Sequence, residues 1–313
     1  MKSYRFTLLI VLAACLALVF PQYFIQVNGF SLKKLIIPLL QVIMFGMGTT
    51  MSWRDFAAII RTPRPVLIGL MCQFMIMPLL GTGLAWGMGF SPEIAAGIIL
   101  IGCSPSGLAS NVMAYIAGAN VPLSITITSF ATLLAPVMTP LLMKLFAGQL
   151  IAISVPAMMG DILMMIIMPI LLGLLINQFF KPWVARLSTI LPAVSMLAIA
   201  LIVCIITASG REALLQIGGW LILAVSLHNG LGYLLGYWGG RLTGLSEQDC
   251  RTIAIEVGLQ NAGLASGLAL QMGKEATVGL APALFGPVMN TSGSLLASWW
   301  GQRPPQPVIT KPL

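Results

Sequence analysis

The hexapeptide Glu256-Val257-Gly258-Leu259-Gln260-Asn261 places a carboxylate, two amides and a glycine inside Ile253 to Gln271, a stretch that otherwise has the character of a membrane segment. A charged side chain at bilayer depth costs about 2.5 to 3.5 kcal/mol on insertion scales, so its retention points to an ion site. Further polar side chains gather in two other apolar stretches: Ser104, Ser106, Ser110 and Asn111 in one, and Ser124, Thr126, Thr128 and Ser129 in the next. Ser124 and Thr128 are four residues apart and share one helix face. With Glu256 they offer only oxygen, which suits a hard cation and not a transition metal. The competing reading is that each hydroxyl bonds the carbonyl four residues back in its own helix.

Other residues with chemical potential are few. His228, the sole histidine, lies with Asn229 and Gly230, where it could shuttle protons or be a packed, cavity-lining side chain. Asp161 sits near the start of an expected helix, close enough to the membrane surface to stay hydrated. There is no Gly-x-Ser-x-Gly elbow and no metal-ligand pair, so hydrolytic chemistry lacks its usual parts and no enzyme is expected. Cys15, Cys72, Cys103, Cys204 and Cys250 are scattered without paired spacing, which implies small core residues and no disulfide framework.

The elements that must position these groups are membrane helices. Of the 313 residues, 58% are hydrophobic and 8% charged, and mean hydropathy is +0.98, whereas a soluble domain carries roughly 25% charged residues. At about 20 residues per span, ten spans are expected near 5–25, 32–51, 65–88, 93–117, 121–147, 157–180, 187–208, 217–240, 248–272 and 277–301. The first follows Lys2 and Arg5 like a signal peptide, but runs into Pro21-Gln22-Tyr23-Phe24 without a small-residue cleavage site, so it is expected to be retained. With the N-terminus inside, one face receives Lys2, Arg5, Arg54, Arg61, Arg64, Lys181, Arg186, Arg241, Arg251, Arg303 and Lys311. The other receives Lys33, Lys34, Lys144, Arg211 and Lys274. The positive-inside rule then puts both termini in the cytoplasm. The net charge of +8 follows from this loop bias and not from a basic, aromatic-laced surface, so nucleic-acid binding is not expected.

The string Gly-Leu-Ala-Ser occurs at Gly107 and again at Gly263, each time about 20 residues after a polar loop containing serine. In the expected order these copies fall in spans four and nine, an odd separation, so they cross the membrane in opposite directions. That is the pattern of an inverted-topology repeat. Both spans carry a central interruption, Ser104-Pro105-Ser106-Gly107 in one and Gly258 to Gly263 in the other. Either each becomes two half-helices around unwound backbone, or Pro105 kinks one helix and the glycines permit close packing.

With these residues assembled, the sequence resembles the bile acid:sodium symporter family. The resemblance is carried by Gly107-Leu108-Ala109-Ser110-Asn111, by the stretch from Ser124 to Thr139, and by Glu256 to Gly263, and it covers essentially the whole chain. It implies an all-α membrane protein of ten transmembrane helices, built as two inverted five-helix repeats with discontinuous crossing helices four and nine. It implies two sodium ions. The first would be held by Ser110, Asn111, Ser124, Thr128 and Glu256. The second would be held by Gln73, Gln260 and backbone carbonyls near Glu256, Val257 and Leu259. Asn261 and Asn290 match amide positions that contact substrate, while Met289 stands where some members carry a histidine. A panel would comprise 1–62 and 151–212, a core 63–150 and 213–303, and residues 304–313 a cytoplasmic tail.

The function so implied is sodium-coupled symport of a small organic anion into the cytoplasm by alternating access. The cargo would be a bile salt, a 2-keto acid or a carboxylate like pantothenate or its precursors. The expected setting is a bacterial inner membrane, and the expected assembly a monomer, because the site is completed within one chain. A proton-coupled carrier using Glu256 with help from His228, or an ion channel, remains open on the residues alone.

Overall fold

The structure, a computed structural model, describes residues 12–52 and 63–303. Lys2, Arg5, Arg54, Arg61 and Lys311, the beginning of the first expected span and the tail 304–313 lie outside the described residues. A helix over 12–19 and a short helical turn, Gln22–Ile25, lead into a two-stranded antiparallel ribbon of β1 (Gln26–Val27) and β2 (Phe30–Ser31). The ribbon reverses at Asn28 and Gly29, both with positive φ, the pairing that a tight hairpin turn of the right twist requires.

The remainder is helical: α1 (Ile36–Thr50), α2 (Pro63–Gly87), α3 (Pro92–Cys103), α4 (Ala109–Ile116), α5 (Val121–Ala147), α6 (Val155–Phe179), α7 (Lys181–Ser209), α8 (Arg211–Leu242), α9 (Glu247–Gly258), α10 (Ala262–Gln271) and α11 (Leu280–Gly301). Among the described residues, six helices are long and apolar enough to cross a membrane: Leu32–Thr50, α2, α5, α6, Thr189–Ser209 and α8. The segments expected at 93–117 and 248–272 are each divided into two short helices, α3 with α4 and α9 with α10.

Local chemistry sets these limits. Asn120 Oδ1 accepts from Leu123 N at 3.1 Å and opens α5, Ser246 Oγ accepts from Asp249 N at 3.2 Å and opens α9, and Asn261 Oδ1 accepts from Leu264 N at 3.0 Å and opens α10. Each cap satisfies an amide that the first helical turn leaves without a partner. Within α6, Leu163–Ile167 widens into a π turn. On α2, Leu67, Met71, Met75 and Leu79 form an exposed apolar stripe although Val66, Phe74 and Met77 are buried. A helix apolar on both faces is what a lipid-facing span requires.

The helix α1 packs on the latter half of α6 and on α7, while α2, α3, α5, α8, α9 and α11 pack on one another. The two divided segments run antiparallel. At one end Glu93, in the first turn of α3, pairs with Lys274 just beyond α10, beside the Lys33–Glu275 pair at 2.5 Å. At the other end Asp249, in the first turn of α9, accepts from Asn120 Nδ2 at 2.8 Å just beyond α4. Arg251, Trp300 and Ala117 meet at this same end, where the buried guanidinium bonds both backbone carbonyls and Glu247.

Candidate functional site

The two interruptions lie against each other. Proline has no amide hydrogen and disfavours helical conformation in the residue before it, and Ser104 accordingly turns extended, with ψ of 153°, where α3 ends before Pro105. Leu259 is likewise extended where α9 ends. The freed backbone groups then bond across the crossing, Gly107 N to Leu259 O at 3.0 Å and Asn261 N to Pro105 O at 2.8 Å, with Ser106 opposite Gln260. Unwound backbone inside a membrane needs such partners. The approach leaves no room for a side chain at Gly107, whose Cβ would stand 2.9 Å from Gln260 O.

Glu256 is fully buried one turn before the second interruption. Ser124 Oγ lies 2.5 Å from its Oε1, and Thr128 Oγ1 lies 2.8 Å from its Oε2. Asn111 Oδ1 is 2.8 Å from Ser124 Oγ and 3.4 Å from Thr128 Oγ1, and Ser110 Oγ is 3.2 Å from Thr128 Oγ1. The five residues Ser110, Asn111, Ser124, Thr128 and Glu256 therefore form one contiguous cluster drawn from α4, α5 and α9. Ser124 has a single hydroxyl proton and faces two acceptor oxygens, so the cluster is rich in lone pairs and poor in hydrogens. A hard cation relieves that imbalance by drawing on the lone pairs directly.

A second set lies at the end of α9, just after Glu256 in the chain. Gln260 Nε2 donates to Val257 O at 2.6 Å, and Gln73 Nε2 donates to Gln260 Oε1 at 2.8 Å and to Ser104 O at 3.0 Å. Gln73 is fully buried, and among the described residues its Oε1 has no hydrogen-bond partner. A buried acceptor without a donor is costly, so this set also fits a cation. Leu259 O is already engaged by Gly107 N, but a carbonyl has a second lone pair.

Beyond the crossing lies a cavity of about 200 Å³. Gln260, Asn261, Ser266, Asn290 and Ser195 give its polar lining, and Leu40 and Met44 of α1 with Ile199 and Val203 of α7 close it from the other side. The first residues of α4 and α10, Ala109 and Ala262, also line it, so two helix N-termini present partial positive charge there.

Other polar side chains turn elsewhere. The Ser104 hydroxyl donates to Leu100 O and the Thr126 hydroxyl to Pro122 O, each four residues back in its own helix. His228 Nε2 lies 2.9 Å from Met77 O, and its ring meets Phe285 edge-on; no hydrogen bond ties it to Glu256. Asp161, half-buried in α6, bonds neither cluster. What sequence reasoning missed is a group behind the second interruption. Asn229 Nδ2 donates to Gly258 O at 2.8 Å, and Ser292 Oγ donates to Asn229 Oδ1 at 2.5 Å. The signal available was an asparagine and a serine placed inside apolar helices.

The model of the Sodium Bile acid symporter family matches residues 37–217, a stretch that holds Gln73, Ser110, Asn111, Ser124 and Thr128 and ends before Glu256. The chain is 41% identical over 299 residues to the uncharacterized sodium-dependent transporter YocS of Bacillus subtilis (strain 168), covering 95% of this chain and 91% of that protein. It is 34% identical over 261 residues to the probable sodium/metabolite cotransporter BASS2, chloroplastic, of Oryza sativa subsp. japonica, covering 83% of this chain and 62% of that longer protein. It is 33% identical over 237 residues to the ileal sodium/bile acid cotransporter of Oryctolagus cuniculus, covering 73% of this chain and 67% of that one.

Proposed function

The chain belongs to the Sodium Bile acid symporter family, and from that premise we propose that it couples the entry of two sodium ions to uptake of a small organic anion by alternating access. It is a membrane transporter of this sodium symport family and not an enzyme. The proton-poor oxygen cluster around Glu256 is the observation that carries the reading. One sodium ion binds among Ser110, Asn111, Ser124, Thr128 and Glu256. The other binds among Gln73, Gln260, Glu256 and the carbonyls of Val257 and Leu259.

The charge balance links ions to cargo. Two sodium ions against one carboxylate leave an excess positive charge, which a bound organic anion offsets. Ion and anion binding are then mutually favourable, and by linkage each raises the affinity of the other. The anion's carboxylate sits in the cavity beside Asn261, Asn290 and the N-termini of α4 and α10. About 200 Å³ lies below the roughly 300 to 1,000 Å³ of sites for drug-sized ligands, which favours a 2-keto acid or a pantothenate-like carboxylate over a steroid.

The antiparallel run of the two divided segments supports ten spans arranged as two inverted five-helix repeats. In this arrangement 63–150 with 213–303 is the core, and 1–62 with 151–212 is the panel. The cavity lies between helices of both, so rocking of one against the other exposes it to each side in turn. Both termini, with the tail 304–313, face the cytoplasm of a bacterial cell bounded by its inner membrane, and the monomer is the working unit.

Thermal unfolding of the purified protein in sodium chloride and in choline chloride, with pyruvate, pantothenate or taurocholate added, tests the proposal. A ligand that binds only the native state raises Tm by mass action. Sodium is expected to raise Tm, one carboxylate is expected to raise it further only in sodium, and Glu256→Gln is expected to lose both responses while still folding. A protein that ignores sodium and responds to acidification instead would be a proton-coupled carrier.

A further inference from the structure

A helix end leaves its last carbonyls without amide partners, and the end of α9 allots three consecutive ones differently. Val257 O receives the Gln260 side chain, and Leu259 O receives the Gly107 amide, so both are drawn toward the crossing. Gly258 O, between them, receives Asn229 Nδ2 from α8. Asn229 is 1% exposed. Its orientation is set from α11: the Ser292 hydroxyl lies 2.5 Å from Oδ1, closer than to its own-helix carbonyls Val288 O at 2.9 Å and Met289 O at 3.3 Å, and with Oδ1 so engaged the NH₂ end faces Gly258. Neither Asn229 nor Ser292 lines the cavity beyond the crossing, and neither bonds Glu256, Gln260 or Gln73. Tyr233, one turn along α8, reinforces the same wall: its hydroxyl lies 3.2 Å from Met289 O and 3.3 Å from Ser292 Oγ.

We infer that Asn229, oriented by Ser292, is a positioning residue for the second sodium ion: it withdraws the Gly258 carbonyl from the ligand set and thereby aims the Val257 and Leu259 carbonyls at the ion. This rests on the sodium reading of the site given above. Three successive carbonyls in a turning backbone cannot all converge on one point, and a fixed donor on the middle one selects its two neighbours. Without that donor, Gly258 O competes for the ion and the segment loses its single arrangement.

The test is a sodium titration of Tm, at constant ionic strength with choline chloride, on the parent protein and on Asn229→Ala, Ser292→Ala and Ser292→Thr. Loss of one orienting hydrogen bond is expected to raise the half-saturating sodium concentration about three- to tenfold in Ser292→Ala, with a less steep titration. Asn229→Ala should show the larger shift, and Ser292→Thr, which keeps the hydroxyl, should titrate like the parent. A purely structural role lowers Tm equally in choline and sodium and leaves the midpoint and steepness alone; that result in Ser292→Ala overturns the assignment. A parent that does not respond to sodium overturns the sodium reading itself, whereas a responsive parent with unmoved variants overturns only the role of Asn229.

Discussion

The two oxygen sets, one around Glu256 and one at the end of its helix, are built by different means. The set around Glu256 is made of side chains, with Ser110 and Asn111 from α4 and Ser124 and Thr128 from α5, all linked by hydroxyl contacts. The second set is made largely of backbone, carbonyls at the broken end of α9 steered by two glutamines. Side-chain oxygens can be lost one at a time, because the helices that carry them stand without them. Backbone oxygens depend on the path of the chain, so the second set is only as good as the interruption that shapes it.

The largest effect should come from changing that path. A Cβ at Gly258 would stand 2.2 Å from two ring carbons of Tyr233, whose hydroxyl is tied to Met289 O and Ser292. Gly258→Ala is expected to cost about 3 kcal/mol or more as overpacking of a buried site, read as a lowered Tm in sodium and choline alike. A variant with parental Tm would show that the interruption is softer than the contacts imply. Next in size is Gln73→Leu, which removes the unpartnered Oε1 and the donor that orients Gln260. Half-saturating sodium should rise about tenfold, ~1.4 kcal/mol, and the titration should lose its steepness, because one of the two proposed ions is lost. Smaller again is Thr128→Val. Glu256 keeps Ser124, so a rise of about threefold is expected from the lost hydroxyl. If Thr128→Val exceeded Gln73→Leu, the contrast between side-chain and backbone sets would be reversed.

Much of the fold was legible because bilayer helices advertise themselves. Continuous apolar runs gave the limits of α2, α5 and α8 to within a few residues, except that α8 starts at Arg211 instead of near 217. Pro105 and the glycines around Gln260 marked both interruptions, since these residues weaken helices wherever they occur. Glu256 was legible for a related reason, as a carboxylate stands out against hydrocarbon. Thr126, two residues from both Ser124 and Thr128, lies off the face they share and bonds Pro122 O in its own helix. Ser104 and Ser110 show the limit of such reading: both hydroxyls bond a nearby backbone carbonyl, Leu100 O and Gly107 O, and only the packing of α4 against α5 brings Ser110 to Thr128.

The sequence by itself determined that this is an α-helical membrane chain with a buried acid beside two weak points in its helices. Those features depend on hydropathy and on backbone chemistry within a few residues. Only the tertiary structure decided that the weak points cross and satisfy each other, that Gln73 meets Gln260 across 187 residues, and that Asn229 holds the carbonyl between two others. Such contacts join groups far apart in the chain, and packing of whole helices, not local preference, sets the distances between them.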